Sequence, residues 1–156
     1  MSKVVIEGYN IDHVTTSMRR MLAEASHDTD LRDLAVSVVH GSPSSDIYDW
    51  MKANVRYIPD PVDIEMFQHP SRMVRDFRVD KSLSGDCDDI ALLTAAMLQA
   101  VGVKSRVVLI DTAGNGLDHA VAQVWSDKLQ DWLTVDASTD RVPFGWQEKY
   151  SSILAV

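Results

Sequence analysis

The spacing of the apolar residues changes once along the chain, near residue 104, and this change limits the folds that the chain can adopt. Before it, apolar residues recur at steps of three and four positions, the period of an amphipathic helix. After it they form short, dense runs such as Val107 to Ile110, which are typical of strands. The sequence therefore predicts helices first and strands afterwards, with no internal repeat or linker between them.

Capping residues and helix breakers mark the predicted helices. Pro70 suits the first turn of a helix because it lacks the donor that this turn leaves unused, and Gly102 is a typical C-terminal stop. Residues 57–69 are predicted to be the least regular stretch. The predicted helices run from Asn10 to about Ala25, from Leu31 to Val39 after Asp30, from a cap at Ser44 or Ser45 through Val55, from Pro70 through Phe77, and from Asp86 to Val101 with its apolar residues along one face.

The second part of the chain predicts strands separated by polar turns. A loop from Asp111 to Asp118 carries Gly114 and Gly116, which favour left-handed turn geometry. The tail from Pro143 ends in an apolar segment that can form one more strand. The predicted strands are Ser105 to Ile110, His119 to Trp125, Trp132 to Asp136 and a segment within Ile153 to Val156.

Charge and length restrict the function classes. The 156 residues carry a formal net charge of -8, which disfavours binding to DNA, RNA or anionic membranes. No apolar stretch approaches the roughly 18 to 20 residues of a membrane helix, and the first residues are too polar for a signal peptide. We therefore expect a single soluble, cytoplasmic domain over residues 1–156, whose oligomeric state the sequence leaves open.

Cys87 is the only cysteine, so a disulfide framework is excluded and the thiol is available for chemistry. It falls in the first turn of the clearest predicted helix, where free backbone N–H groups favour an anion. The neighbouring carboxylates of Asp86, Asp88 and Asp89 oppose a thiolate. Cys87 is therefore either a buried structural residue or a nucleophile that needs a cationic partner.

His119 is the only one of the five histidines that begins a predicted strand. If the two strands around Ser126 to Asp131 form a hairpin centred on Asp127 and Lys128, His119 lies directly opposite Asp136. Opposed residues hold their β-carbons about 5 Å apart, within reach of an imidazole–carboxylate hydrogen bond. The same register collects Ala120, Ala122, Leu133 and Val135 on one purely apolar face.

These three residue types form a known chemical relay. An imidazole that accepts the thiol proton makes the sulfur a nucleophile, and a carboxylate on the far ring nitrogen fixes the tautomer. The relay needs all three of its members, which would be Cys87, His119 and Asp136. Their joint occurrence is therefore a more specific signal for catalysis than any one of these residues.

The residues around this pattern resemble the transglutaminase-like branch of the papain-like cysteine enzymes. The run before the Gly-Asp-Cys-Asp-Asp turn also looks like small stand-alone members encoded in bacterial and phage genomes. The resemblance covers about residues 47–138 and is carried by Gly85 to Leu93, Leu98 to Arg106, Asp118 to Ala120, and Trp132 to Ala137.

The resemblance implies an α+β fold in which the nucleophile helix packs on an antiparallel sheet. It implies a catalytic triad of Cys87 as nucleophile, His119 as general base and acid, and Asp136 as orienter. The expected reaction is hydrolysis or acyl transfer at an amide bond of a peptide or protein, through a thioester. An oxyanion hole needs the Cys87 N–H and a second donor, for which Tyr57 is the candidate. Asp88 stands where eukaryotic transglutaminases commonly have tryptophan, which argues against protein cross-linking of that kind.

Other classes of function stay open at this point. A binding or assembly module could keep the fold without turnover, because acidic residues crowd Cys87, and Val121 and Gln123 depart from the pattern that the family often shows after the histidine. Nucleic-acid binding would have to use the basic residues of the fourth helix and its end, which are Arg72, Arg75, Arg78 and Lys81. We expect no metal and no cofactor, because the acidic cluster lacks an EF-hand loop and one cysteine falls short of a zinc set.

Overall fold

The computed structural model describes the backbone of residues 4–7 and the whole of residues 10–156. Within these ranges the helices precede the main sheet, as the change in apolar period predicts. The elements are β1 (Val4–Glu7), α1 (Ile11–Ala25), α2 (Thr29–Val38), α3 (Pro43–Asn54), β2 (Val55–Tyr57), β3 (Ile64–Phe67), α4 (Pro70–Asp80), β4 (Leu83–Gly85), α5 (Cys87–Ala100), β5 (Ser105–Asp111), β6 (His119–Ser126), β7 (Asp131–Val135) and β8 (Ser152–Ala155).

The main sheet is antiparallel and has the strand order β7-β6-β5-β8. The tail forms one more strand, β8, as the sequence predicts, and this strand pairs with β5. Two short pairs lie apart from this sheet: β1 with β3, antiparallel, and β2 with β4, parallel. In the described part of the chain, no helix is long and apolar enough to cross a membrane.

The predicted caps hold at some helix starts and fail at others. The Asn10 side chain accepts the Asp12 and His13 N–H groups, as the first prediction requires. The start and end predicted for the third helix are wrong. This helix begins at Pro43, whose missing donor suits the first turn, and it ends at Asn54 because Val55 pairs with Leu83 in β2.

The prediction that residues 57–69 lack regular structure is wrong in part. Tyr57 ends β2, and Ile64–Phe67 forms β3. Both strands are short, and their partners lie elsewhere in the chain, at Leu83–Gly85 and Val4–Glu7. Local periodicity could not reveal them, because a strand of three or four residues shows at most two alternations.

Helix α5 lies at the centre of the molecule, against the inner face of the main sheet and helices α1 to α4. Every residue from Asp88 to Leu98 is buried, including Leu92, Leu93 and Met97. The sequence predicted apolar residues along one face of this helix, whereas the structure buries all of its faces. Packing on all sides fixes the position of the helix and therefore of the residue at its N-terminus.

Candidate active site

Cys87 is the first residue of α5, and the local sequence explains how it is held there. The Asp86 side chain caps the helix by accepting the Asp88 and Asp89 N–H groups, at 3.1 and 3.3 Å. The Cys87 N–H comes before these two amides and has no acceptor inside the helix. Cys87 is half-buried, so its thiol lies at the surface of the core rather than within it.

Gly85 and Asp89 fix the approach of the chain to Cys87. A β-carbon on Gly85 would lie 2.6 Å from the β-carbon and Oδ2 of Asp89, so only glycine fits against this helix. Asp89 in turn accepts hydrogen bonds from the Gln68 backbone N–H at 2.7 Å and from Gln68 Nε2 at 3.0 Å. The start of α5 is thereby joined to the segment that follows β3.

His119 and Asp136 are in direct contact. Nε2 of His119 lies 2.8 Å from Oδ2 of Asp136. The other carboxylate oxygen, Oδ1, accepts the Ser138 N–H at 3.0 Å and the Ser138 hydroxyl at 2.6 Å. Burial alone would raise the pKa of Asp136, but these hydrogen bonds from His119 and Ser138 hold it below its usual value. Asp136 is therefore an oriented carboxylate.

The register predicted for this hairpin was wrong by two residues. Gln123 pairs with Thr134, and Ser126 closes the hairpin with Asp131 around a four-residue loop. His119 therefore does not lie directly opposite Asp136. A slip of two residues keeps every side chain on its predicted face. The two side chains still meet, because they reach each other diagonally across the end of the strand pair.

Cys87 and His119 line the same cavity, which has a volume of about 170 Å³. The backbone N–H of Ala120, directly after His119, forms a hydrogen bond to the Cys87 sulfur. The start of α5 and the start of β6 therefore meet at this point. The cavity is lined by Val14, Tyr57, Glu65, Asp86, Cys87, Asp88, Leu109, Leu117, Asp118 and His119.

The thiol lies in an environment that favours its protonated form. Burial raises the pKa of Cys87 well above its ordinary value, and the carboxyl groups of Asp88 and Asp86 raise it further. The Ala120 N–H acts in the opposite direction and does not reverse the shift. The resting sulfur is therefore a thiol at neutral pH.

Tyr57, the predicted oxyanion donor, also lines the cavity and is 48% exposed. It pairs with Gly85 in the β2–β4 ladder, two residues before the cysteine. Burial, followed by the charges of Cys87 and Asp86, raises the pKa of Tyr57 to about 12. Its hydroxyl therefore stays protonated and can donate a hydrogen bond.

Sequence reasoning missed two contributors to this region. Glu65 reaches the cavity from β3, inside the stretch predicted to be irregular. Its strand is too short to give a signal in the sequence, because Ile64–Phe67 ends in two successive apolar residues. Ser138 donates to the carboxylate of Asp136 from two residues further along the chain, the spacing at which an aspartate side chain commonly forms an Asx turn.

The other predicted charged features have local partners. Arg75 and Arg78 reach Asp28 and Asp30 of the α2 start, at 3.2 and 2.7 Å, and Arg72 lies 3.7 Å from Asp76. Lys81 ends α4 with a left-handed backbone. Among residues 10–156, no group of three or more histidine, cysteine or acidic side chains has the arrangement of a metal site.

A family model described as the Transglutaminase-like superfamily matches residues 41–137, so the resemblance predicted from the residues around Cys87 is confirmed. No curated protein matches the chain.

Solved structures with the same fold include proteins from three bacteria, and they confirm the predicted α+β, papain-like architecture. A candidate cysteine protease from Cytophaga hutchinsonii is 20% identical, with 87% of this chain and 49% of that chain covered and a TM-score of 0.53. A candidate protease from Parabacteroides distasonis is 18% identical, with 78% and 25% covered and a TM-score of 0.56. Legionella pneumophila LapG is 20% identical, with 81% and 74% covered and a TM-score of 0.52. This chain thus spans about half of the first structure and a quarter of the second.

Proposed function

The chain belongs to the transglutaminase-like superfamily, and from this premise we propose that it is a cysteine-dependent hydrolase or acyltransferase acting on amide bonds of peptides or proteins. The observation that carries the proposal is the 2.8 Å contact between His119 and Asp136 at the cavity that Cys87 lines. The similar bacterial structures described as proteases support peptide bonds as the substrate class.

The proposed cycle assigns one role to each residue. Because the resting thiol is protonated, His119 acts as a general base and takes the proton while the sulfur attacks the carbonyl carbon. Nε2 is bonded to Asp136, so Nδ1 is the nitrogen that can accept this proton. His119 then protonates the amine as the carbon–nitrogen bond breaks, leaving a thioester on Cys87. Asp136 holds the ring and stabilises the imidazolium.

Water completes the cycle in the hydrolytic version. His119 removes a proton from water, the oxygen attacks the thioester carbonyl, and the sulfur leaves and regains its proton. An amine that attacks instead of water gives acyl transfer. Hydrolysis is the default reaction because water is always present.

Two donors can stabilise the oxyanion formed in each attack. The Cys87 N–H has no acceptor inside α5, and the Tyr57 hydroxyl stays protonated with a pKa of about 12. Donors aimed at developing negative charge contribute roughly 10²- to 10³-fold in rate in other enzymes. Tyr57 is therefore proposed as the side-chain donor of the oxyanion hole.

One observation favours a second candidate function, a binding or assembly module without turnover. Burial and two neighbouring carboxyl groups raise the pKa of Cys87, which opposes the thiolate that nucleophilic catalysis needs. In that case His119 and Asp136 would form a structural pair. Acylation of Cys87 by an activated ester separates the two functions.

The test is formation of an acyl-enzyme from an activated ester, p-nitrophenyl acetate. We expect a burst of one p-nitrophenol per chain and a mass increase of one acetyl group on Cys87, which is the only cysteine. Neutral hydroxylamine should remove the group, as it does from thioesters. The Cys87→Ala variant should show no burst.

The Asp33→Asn variant is the control for the handling of variants, because Asp33 is exposed on α2 and far along the chain from Cys87. It should acylate at the wild-type rate. If the wild type acquires no acetyl group on Cys87 under conditions that acylate a free thiol, the catalytic proposal is rejected and the binding module is supported.

A further inference from the structure

Asp136 is the member of the candidate triad that lies outside the helices and strands. Cys87 begins α5, and His119 begins β6. Strand β7 ends at Val135, one residue before Asp136, and its pairing with β6 ends there too, opposite Ala122. The direction of the Asp136 carboxylate therefore depends on its own side-chain contacts and on the turn that follows it.

The side-chain contacts of Asp136 use its two oxygens differently. Oδ1 accepts the Ser138 N–H at 3.0 Å and the Ser138 hydroxyl at 2.6 Å, whereas Oδ2 lies 2.8 Å from Nε2 of His119. A carboxylate is planar, so the contacts that fix Oδ1 also set the direction in which Oδ2 points. The contact with His119 therefore depends on where Ser138 lies.

Ser138 belongs to a turn, residues 137–142, that contains no helix or strand. This turn is bound by a residue from a distant part of the chain. Nζ of Lys52 donates to the Thr139 carbonyl oxygen at 3.1 Å and also binds the Asp140 carboxylate, from 87 and 88 positions earlier in the sequence. Among the described residues, no other member of a helix or strand forms a hydrogen bond with this turn.

The two contacts of Lys52 differ in strength. The Lys52 side chain is 28% exposed, whereas that of Asp140 is 94% exposed, so water screens their ion pair and it contributes little. The bond to the Thr139 carbonyl is partly buried and has a charged donor, and such bonds are stronger than neutral ones. Lys52 lies in the last turn of α3, which packs on α5. This bond therefore ties the turn to the helical half of the molecule.

We propose that Lys52 is a positioning residue for the reaction, because it fixes the turn in which Ser138 holds Asp136 towards His119. This inference rests on the proposed function. Lys52 does not line the cavity and contacts no member of the triad, so it acts only through the turn. Without this bond the turn moves more freely, and Asp136 spends less time in contact with the imidazole ring.

The first measurement is hydrogen exchange of the Ser138 backbone N–H by NMR, which does not depend on catalysis. This N–H donates to Asp136, so its exchange rate reports how firmly the turn is held. We expect Lys52→Met to raise the rate at least about fivefold. Lys52→Arg keeps a charged donor and should stay within about twofold of the wild type.

Lys128→Met is the matched control for the exchange measurement. It makes the same substitution at an exposed lysine in the loop between β6 and β7, at the other end of β7 from Asp136. The Ser138 exchange rate should not change in this variant. Equal rates in Lys52→Met and Lys128→Met would overturn the proposal.

The second measurement is the rate of Cys87 acylation by p-nitrophenyl acetate against pH. At pH 7 we expect Lys52→Met to slow acylation at least about fivefold and Lys52→Arg to restore it. At alkaline pH, where the thiol ionises without His119, Lys52→Met should react at the wild-type rate. A merely structural loss would slow acylation at every pH. Faster Ser138 exchange with wild-type acylation at pH 7 would overturn the positioning role.

A double-mutant cycle tests whether Lys52 acts through Ser138. Ser138→Ala alone should slow acylation, because it removes one of the two bonds to Oδ1 of Asp136. The double variant should lose less than the product of the two separate effects, since both substitutions weaken the same contact. Losses that multiply would mean that Lys52 acts by another route and would overturn the proposal.

Failure of the proposed function has a different signature. Equal acylation of the wild type and His119→Ala would reject the proposed reaction, and the Ser138 exchange rate would then still decide whether Lys52 holds the turn. If Lys52→Met does not fold, which circular dichroism shows, Lys52→Gln takes its place in each measurement with the same expected results.

Discussion

At the scale of single residues, two electrostatic effects act on the pKa of Asp86 in opposite directions. As the cap of α5 it accepts two N–H groups, and the positive end of the helix dipole favours its carboxylate form. Burial, followed by the charges of Asp89 and Asp60, has the larger effect and raises the pKa of Asp86 to about 8. The folded protein therefore prefers this cap protonated over most of the neutral range.

This preference predicts how stability depends on pH. The pKa of Asp86 is raised from 3.8 to about 8, so between these values the folded state binds more protons than the unfolded state. The free energy of unfolding must therefore fall as pH rises through that window. Asp86→Asn keeps an acceptor for the cap but cannot ionise. We expect urea unfolding to show the variant gaining more than about 1 kcal/mol on the wild type from pH 4 to pH 8.

The matched control for this prediction is Asp12→Asn, which changes an exposed aspartate in the first turn of α1. Its free energy of unfolding should follow that of the wild type across the same range. Parallel curves for Asp86→Asn and the wild type would contradict the account of the buried acidic cap.

At the scale of elements, the joint between β4 and α5 sets the position of the nucleophile. The side chain of Asp89 occupies the space that a β-carbon on Gly85 would need. Asp89 also ties α5 to Gln68 by two hydrogen bonds. A change at Gly85 should therefore disturb both the helix start and the segment after β3.

We expect Gly85→Ala to lower the free energy of unfolding by about 1 to 3 kcal/mol, as overpacking of a close contact does. Because the added methyl group would push Asp89 and the first turn of α5 out of place, acylation of Cys87 should also slow. Chemical denaturation and the acylation rate measure the two effects.

Gly41→Ala is the control, since a β-carbon at Gly41 meets no atom within 4 Å. It should leave both the stability and the rate close to wild type. An equal loss of stability in the two variants would show that the Gly85 contact is unimportant.

Elements with strong local signals could be predicted from the sequence, and those defined by distant partners could not. The cap at Asn10 and the glycine after α5 follow from side-chain chemistry near the helix ends. The strand β3 depends on pairing with Val4–Glu7, and so Glu65 went unnoticed.

The hairpin register illustrates a partial success. Alternation of polar and apolar residues predicted correctly which residues share a face, but nothing between Ser126 and Asp131 identifies the turn type. Its four-residue loop, with Gln130 at a φ of 52°, shifts the register by two positions. The contact between His119 and Asp136 survived the error because an even slip preserves the faces.

On the scale of the whole molecule, the fold joins its helical half to its strand half at one place. Cys87 begins the central helix, whereas His119 and Asp136 come from neighbouring strands of the sheet that packs on it. The Ala120 N–H on the Cys87 sulfur links the two halves directly. The central claim is that His119 takes the thiol proton across this junction.

The most direct test is the rate constant for acylation of Cys87 by p-nitrophenyl acetate, measured against pH in the wild type and in His119→Ala. General base catalysis by His119 predicts a wild-type rate at pH 7 at least about 100-fold above that of the variant. The variant should become reactive only at alkaline pH, where the Cys87 thiol, whose pKa burial raises, ionises without help. Superimposable pH profiles for the two proteins would contradict the relay.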